Sequence, residues 1–159
     1  MNNMKYCGSL YVVDDPIRTK EFYKEIFGLR VIQDFGANFV MTGGISFQTR
    51  ESWKEFICKD SSEIVYGGND AEIYFEAEDL DEFLKKIENK NDIVYVHPLI
   101  THDWGQRGIR FYDPDLHIIE VSEKLSATIQ RLYKEGMRVE DISQKTMLSV
   151  KMVERFIKK

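Results

Sequence analysis

The sequence predicts an α+β fold: two βαβββ repeats forming a curved mixed sheet around a central cavity, with a C-terminal helical extension. Three observations predict it. The order strand, helix, three short strands occurs twice along the chain. The helical stretches carry apolar residues at helical spacing, whereas the strand stretches are short and rich in β-branched and aromatic residues. Residues 124–159 then change to helical periodicity and to a positive charge balance.

Residues 8–13 (GSLYVV) read as the first strand, ended by Asp14-Asp15 before Pro16. In IRTKEFYKEIFG the apolar Ile17, Phe22, Ile26 and Phe27 recur near helical spacing, and Gly28 sits where a C-terminal cap belongs. LRVIQDFG, ANFVMTG and GISFQTR, bounded by glycine or asparagine, read as three strands. Residues 50–69, with Trp53, Ser61-Ser62 and Gly67-Gly68, read as a connector.

The second repeat opens with EIYFEAE, which alternates: Ile73, Phe75 and Ala77 on one face, Glu72, Tyr74, Glu76 and Glu78 on the other. The apolar face meets helices, and the acidic face lines whatever the sheet curves around. In DLDEFLKKIENK, Leu80, Phe83, Leu84 and Ile87 share a helix face behind an Asp79 N-cap. Strands follow at 93–96, 107–112 and 117–122, the last two joined by an Asp113-Pro114-Asp115 turn. The domain reading is 1–123, with repeats at about 5–50 and 70–123, plus a basic tail at 124–159.

Composition narrows the function classes. With 43% hydrophobic residues the chain can bury a core, so it reads as globular. No run of eighteen apolar residues and no signal-like start is present, so the expected location is the cytoplasm, with no membrane partner. Cys7 and Cys58 are spaced neither as a metal pair nor as a disulfide framework, and read as buried thiols. No glycine-rich phosphate loop, GxSxG elbow or Cys-His arrangement occurs, which argues against nucleotide hydrolysis and serine-type acyl transfer. The net charge of −5 divides into about −10 before Lys124 and about +5 from there on, so two modules with different partners are conceivable.

VVDDPIRTKEFYKEIFGLRV, AEIYFEAEDLDEF and WGQRGIRFYDPDLHIIEVSE together resemble the vicinal oxygen chelate superfamily, the glyoxalase/bleomycin-resistance/dioxygenase type, over residues 5–123. Leu116 stands where such turns usually carry glycine. The resemblance implies a homodimer. In the metal-using members it implies a divalent ion, here Mg, Mn, Zn or Ni, held by the first and last strands of each repeat. Carried over by position, the ligands are Glu120, Glu72 and, weakly, Gln48, while Gly8 at the remaining position has no side chain to offer. That set is below the usual count, and the missing first-strand histidines argue against glyoxalase I-like or extradiol dioxygenase chemistry.

Glu120 sits among Ile118, Ile119 and Val121, so its carboxylate needs a partner or a function. It is the candidate catalytic base or metal ligand, and by strand parity Arg110 is its structural alternative partner. Glu72, Tyr74, Glu76 and Arg110 are candidate ligand-binding residues. So are Trp104 and Arg107 in HDWGQR, where an indole and a guanidinium together grip a flat or anionic ligand; the plainer reading is a loop anchored by its tryptophan. His102 beside Asp103 is either an acid/base or an exposed loop residue, and His117 reads as structural.

In the tail, 125–135 form a helix ended by Gly136, and VEDISQKT, MLS and VKMVERFIKK resemble a helix-turn-helix. Ile142 and Val153 take core-like positions, Leu148 lies inside the turn, and Lys151, Arg155, Lys158 and Lys159 lie on its second helix. DNA is thereby a candidate partner, against which stand Met147 at the glycine position, the small module and the acidic body. The leading expectation is a protein that binds a small polar molecule without the full family metal site. The alternatives are a divalent-metal-dependent lyase or isomerase and a ligand-sensing transcriptional regulator.

Overall fold

The computed structural model describes residues 3–158. It is an α+β protein with six α-helices and two four-stranded mixed sheets among the described residues. The chain divides into two compact units, one running to Asn69 and including Asp113–His117, the other comprising Asp70–Tyr112 and the chain from Ile118 onward.

In the first unit, β1 (Leu10–Val13), α1 (Pro16–Phe27), β2 (Val31–Asp34), β3 (Asn38–Met41) and β4 (Ser46–Thr49) form a sheet of order β1-β4-β3-β2, with β1 parallel to β4. Helix α1 starts where Asp15 accepts the backbone N–H groups of Ile17 and Arg18 at 2.9 and 3.1 Å, with Pro16 in its first turn. It ends at Gly28, in the left-handed region at φ 69°. Its buried stripe is Thr19, Tyr23 and Ile26, packed with Val13, Phe39, Met41 and Phe47. Ile17, expected on that stripe, is two-thirds exposed. The face is turned because Thr19 and Tyr23 carry polar ends that the Asp113–His117 turn satisfies. The Tyr23 hydroxyl donates to Asp113 at 2.9 Å, and Arg18 donates to Asp115 at 3.1 Å. Burial pushes the Asp115 carboxyl up and the Tyr23 phenol well above its usual range.

The stretch read as a connector contains α2 (Arg50–Phe56) and a 3-10 turn at Ser61–Glu63. The expectation of buried thiols is corrected: Cys7 and Cys58 are both exposed and unbridged. Cys7 precedes β1, and Cys58 follows α2 at φ 53°, so neither lies on a core-facing position.

The second unit repeats the topology with β5 (Glu72–Ala77), α3 (Leu80–Glu88), β6 (Val94–Thr101), β7 (Arg107–Tyr112) and β8 (Ile118–Glu123), in the order β5-β8-β7-β6 with β5 parallel to β8. Asp79 caps α3, accepting from the Glu82 N–H at 2.9 Å. Strand β6 runs on through Pro98 to Thr101, beyond its predicted end. As an edge strand it loses no ladder bond to proline.

Helices α4 (Leu125–Lys134), α5 (Val139–Thr146) and α6 (Val150–Ile157) share a core of Ile129, Leu132, Ile142 and Val153. They group with the second repeat rather than forming a unit of their own. The link is Glu123, buried at the end of β8 and bonded by Arg131, Arg107 and Thr128 at 3.0 to 3.1 Å. Burial would raise this carboxyl, but the hydrogen bonds from Arg131, Arg107 and Thr128 outweigh it and hold the group below the usual range. No helix among the described residues is long and apolar enough to cross a membrane.

Candidate functional site on the second sheet

Register decides which side chains share a face. Across the second sheet Tyr74 pairs with Glu120, Glu120 with Arg110, and Arg110 with His97, so four strands place one polar residue each in a single row. Glu72 and Glu76 flank Tyr74 on the same face of β5, by period-two alternation. The opposite face carries Ile73, Phe75, Ile109, Phe111, Ile119 and Val121, which form the packing side.

Arg110 organises the row. Its Nε donates to Glu72 Oε2 at 2.9 Å, its Nη2 to Glu120 Oε2, and its Nη1 to His97 Nε2 at 3.3 Å. His97 Nδ1 lies 2.8 Å from the Pro98 carbonyl, so the ring serves as donor there and acceptor toward Arg110, the neutral Nδ1–H tautomer. The second oxygen of Glu120 accepts the Ser122 hydroxyl. Glu120 is only 6% exposed, and both its oxygens are engaged, which is how an apolar strand tolerates a carboxylate. Gly108 makes this possible: a Cβ there would stand 2.5 Å from Ser122 Oγ.

The loop before β7 borders the row. The Trp104 indole stacks on His102 with ring centres 4.3 Å apart and donates to Gln106 Oε1 at 2.9 Å. Gln106 in turn donates to the Glu123 carbonyl at 2.7 Å. Burial, then the charge of Arg110, pushes the His102 imidazole below its usual value. His102 Nε2 is shielded from solvent yet has no hydrogen-bond partner among the described residues. Burial, then the nearby Glu76 carboxylate, raises the Tyr74 phenol.

Of the residues singled out in the sequence, Glu72, Tyr74, Glu76, Arg110 and Glu120 fall on one face, with Trp104 in the loop before β7, bonded to Gln106. Arg107 does not join them. By parity it points to the packing side, where it binds Asp81 at 3.0 Å and Glu123 at 3.1 Å. Gln48 belongs to the first unit, where its amide donates to Ser52 at 2.8 Å and accepts from Asn38 at 3.3 Å. His97, Ser122 and Glu123 were missed. Strand parity around Glu120 would have found Ser122, whereas the β6 bulges hide His97 and the partners of Glu123 are remote in sequence.

By sheet register Leu10 pairs with Ser46 as Glu72 pairs with Ile118, whereas counting back equally from the helix caps Asp15 and Asp79 reaches Gly8 and Glu72. The equivalents of Tyr74, Glu120 and Arg110 are then Val12, Gln48 and Asn38. At these positions the charged side chains are those of the second repeat.

The donor set does not fit a resident divalent ion. A guanidinium already stands between Glu72 and Glu120, bonded to both, where a metal bridging them would have to sit. Among the described residues no three His, Cys, Asp or Glu side chains converge in a way that could hold one.

Comparison with known proteins agrees with this architecture. A profile of the glyoxalase-like domain matches residues 6–126. A solved protein of unknown function from Agrobacterium tumefaciens str. C58 is 36% identical, with a TM-score of 0.70 over 79% of this chain and 98% of that one. A glyoxalase/bleomycin resistance protein/dioxygenase from Nocardioides, at 15% identity, reaches 0.63 over 79% of this chain and 86% of its own. A family enzyme of the same description from Burkholderia phytofirmans PsJN, at 13%, reaches 0.64 over 75% and 98%. These last two carry the fold alone. No curated protein matches significantly. With most of its length matched and both repeats in place, the chain belongs to the glyoxalase-like domain family, within the vicinal oxygen chelate superfamily.

Proposed function

We propose that the polar face of the second sheet binds a small polar molecule, with Arg110 as its central contact and Glu72, Tyr74, Glu76, Glu120 and Trp104 around it. The observation that carries this reading is the Glu72–Arg110–Glu120 cluster. A planar five-donor group held in place by two carboxylates and a histidine is preorganised to receive a ligand acceptor by exchange with the exposed Glu72. The solvent-shielded, unpartnered His102 Nε2 supplies a second polar contact nearby. The same reading takes the chain as a homodimer, which sedimentation tests, and as cytoplasmic, which cell fractionation tests.

The other reading makes Glu120 the base of a divalent-metal-dependent lyase or isomerase. Against it stands the engagement of both Glu120 oxygens. Thermal-shift measurement with a panel of small carboxylates, amines and sugars, and separately with Mg, Mn, Zn and Ni, separates the two. Stabilisation by a polar compound that Arg110→Met abolishes supports ligand binding. Stoichiometric metal uptake that Glu120→Gln abolishes supports the enzyme and refutes the proposal.

A further inference from the structure

We propose that the C-terminal helices bind double-stranded DNA through the outward face of α6. Helices α5 and α6 are joined by residues 147–149, and each of the three has a separate task. Met147 makes the sharp bend at φ 57°. Leu148 packs against the shared core, and Ser143 Oγ donates to its carbonyl. Ser149 caps α6, accepting the Met152 N–H at 3.3 Å. With α4 completing the core, this is a helix-turn-helix whose second helix is solvent-facing on one side. The glycine position that told against the motif in the sequence is filled by a methionine in the left-handed conformation that the turn requires.

Val153, Phe156 and Ile157 face inward, and Lys151, Arg155 and Lys158 follow i, i+4, i+7 spacing as one exposed stripe. Lys159 lies outside the described residues. Several cations elsewhere are taken up by carboxylates: Arg107 by Asp81 and Glu123, Arg110 by Glu72 and Glu120, Arg131 by Glu123, Arg138 by Asp141, Lys124 by Glu78. Among the described residues no ion pair reaches Lys151, Arg155 or Lys158, and Glu154 is the one acid on their helix. Three cations outside any ion pair, of which Arg155 also lies over the Phe156 ring at 5.5 Å, stand along a recognition-type helix and complement duplex phosphates. Val150 and Met152, 41% and 36% exposed in the first turn of α6, supply apolar surface for base edges such as the thymine methyl. The helix-turn-helix arrangement is what favours DNA over an acidic protein surface or a second copy of the chain.

The test is fluorescence anisotropy of the full chain on a labelled random-sequence duplex library at rising salt. Binding should weaken steeply with salt. The triple variant Lys151→Ala, Arg155→Ala, Lys158→Ala should lose on the order of tenfold or more in affinity, and the salt slope should fall by about one for each phosphate contact removed. Glu154→Gln, which leaves the core untouched, should bind more tightly. No duplex binding by the full chain at low salt, or binding that neither set of substitutions changes, overturns the proposal. So does a triple variant that loses a homodimer in sedimentation, since the stripe is then a subunit contact.

Discussion

Removing the Arg110 guanidinium leaves Glu120 buried in an apolar strand with only Ser122 to satisfy it. Arg110→Met should therefore destabilise the chain by about 2 kcal/mol, less than a fully buried broken pair costs because the guanidinium is itself partly exposed. Adding Glu120→Leu should recover most of that loss, since the uncompensated charge goes with it. Denaturant midpoints of the single and double variants check both. His102 gives a pH test. Its imidazole is held below the ordinary value of 6.5, so the fold favours the neutral ring. That stability is present above the unfolded value and is lost as pH falls through the folded one. Unfolding midpoints should drop as pH falls below the ordinary imidazole value of 6.5, and drop less in His102→Gln. At this scale the sequence was informative wherever a residue broke its local pattern. Glu120 is a charge in an apolar run, and parity alone pairs it with Arg110. Arg107 and Glu123 carry no such mark, because their partners Asp81 and Arg131 come from helices that local pattern cannot place.

Helices and strands were legible where one period ran uninterrupted, as in α3 and β5, and less so where tertiary context overrode it. Proline truncated the reading of β6 because its edge position is a property of the sheet, not of the run VYVHPLIT. Polar Thr19 and Tyr23 displaced Ile17 from the buried stripe of α1 because the carboxylates that satisfy them arrive from Asp113–His117. Two turn positions make predictions. Met147 is 85% exposed and left-handed, so Met147→Gly gives up little packing and relieves the strain. It should stabilise the chain by about 0.5 kcal/mol, the left-handed penalty less the entropy of glycine, read from the denaturant midpoint. Gly108→Ala should displace the Ser122 hydroxyl from Glu120 and lower the midpoint, whereas Gly36→Ala, in open space but at φ 78°, should show backbone strain alone.

The paired-repeat plan was the most legible feature of the whole molecule, because it needs only the order of elements and tolerates error at every boundary. The internal asymmetry was less so. Only register reveals that Leu10, Val12, Gln48 and Asn38 stand where the second repeat has Glu72, Tyr74, Glu120 and Arg110. At these positions charge is concentrated in the second repeat, around Arg110. The central claim is that this arginine-centred face is where a ligand binds. The most direct measurement follows the Trp104 indole and the His97 and His102 ring signals by NMR in labelled chain titrated with a small-molecule extract of cells. The account predicts saturable shifts at these three residues in the native protein that vanish in Arg110→Met. Signals that stay still on titration, or that move equally in both proteins, contradict it.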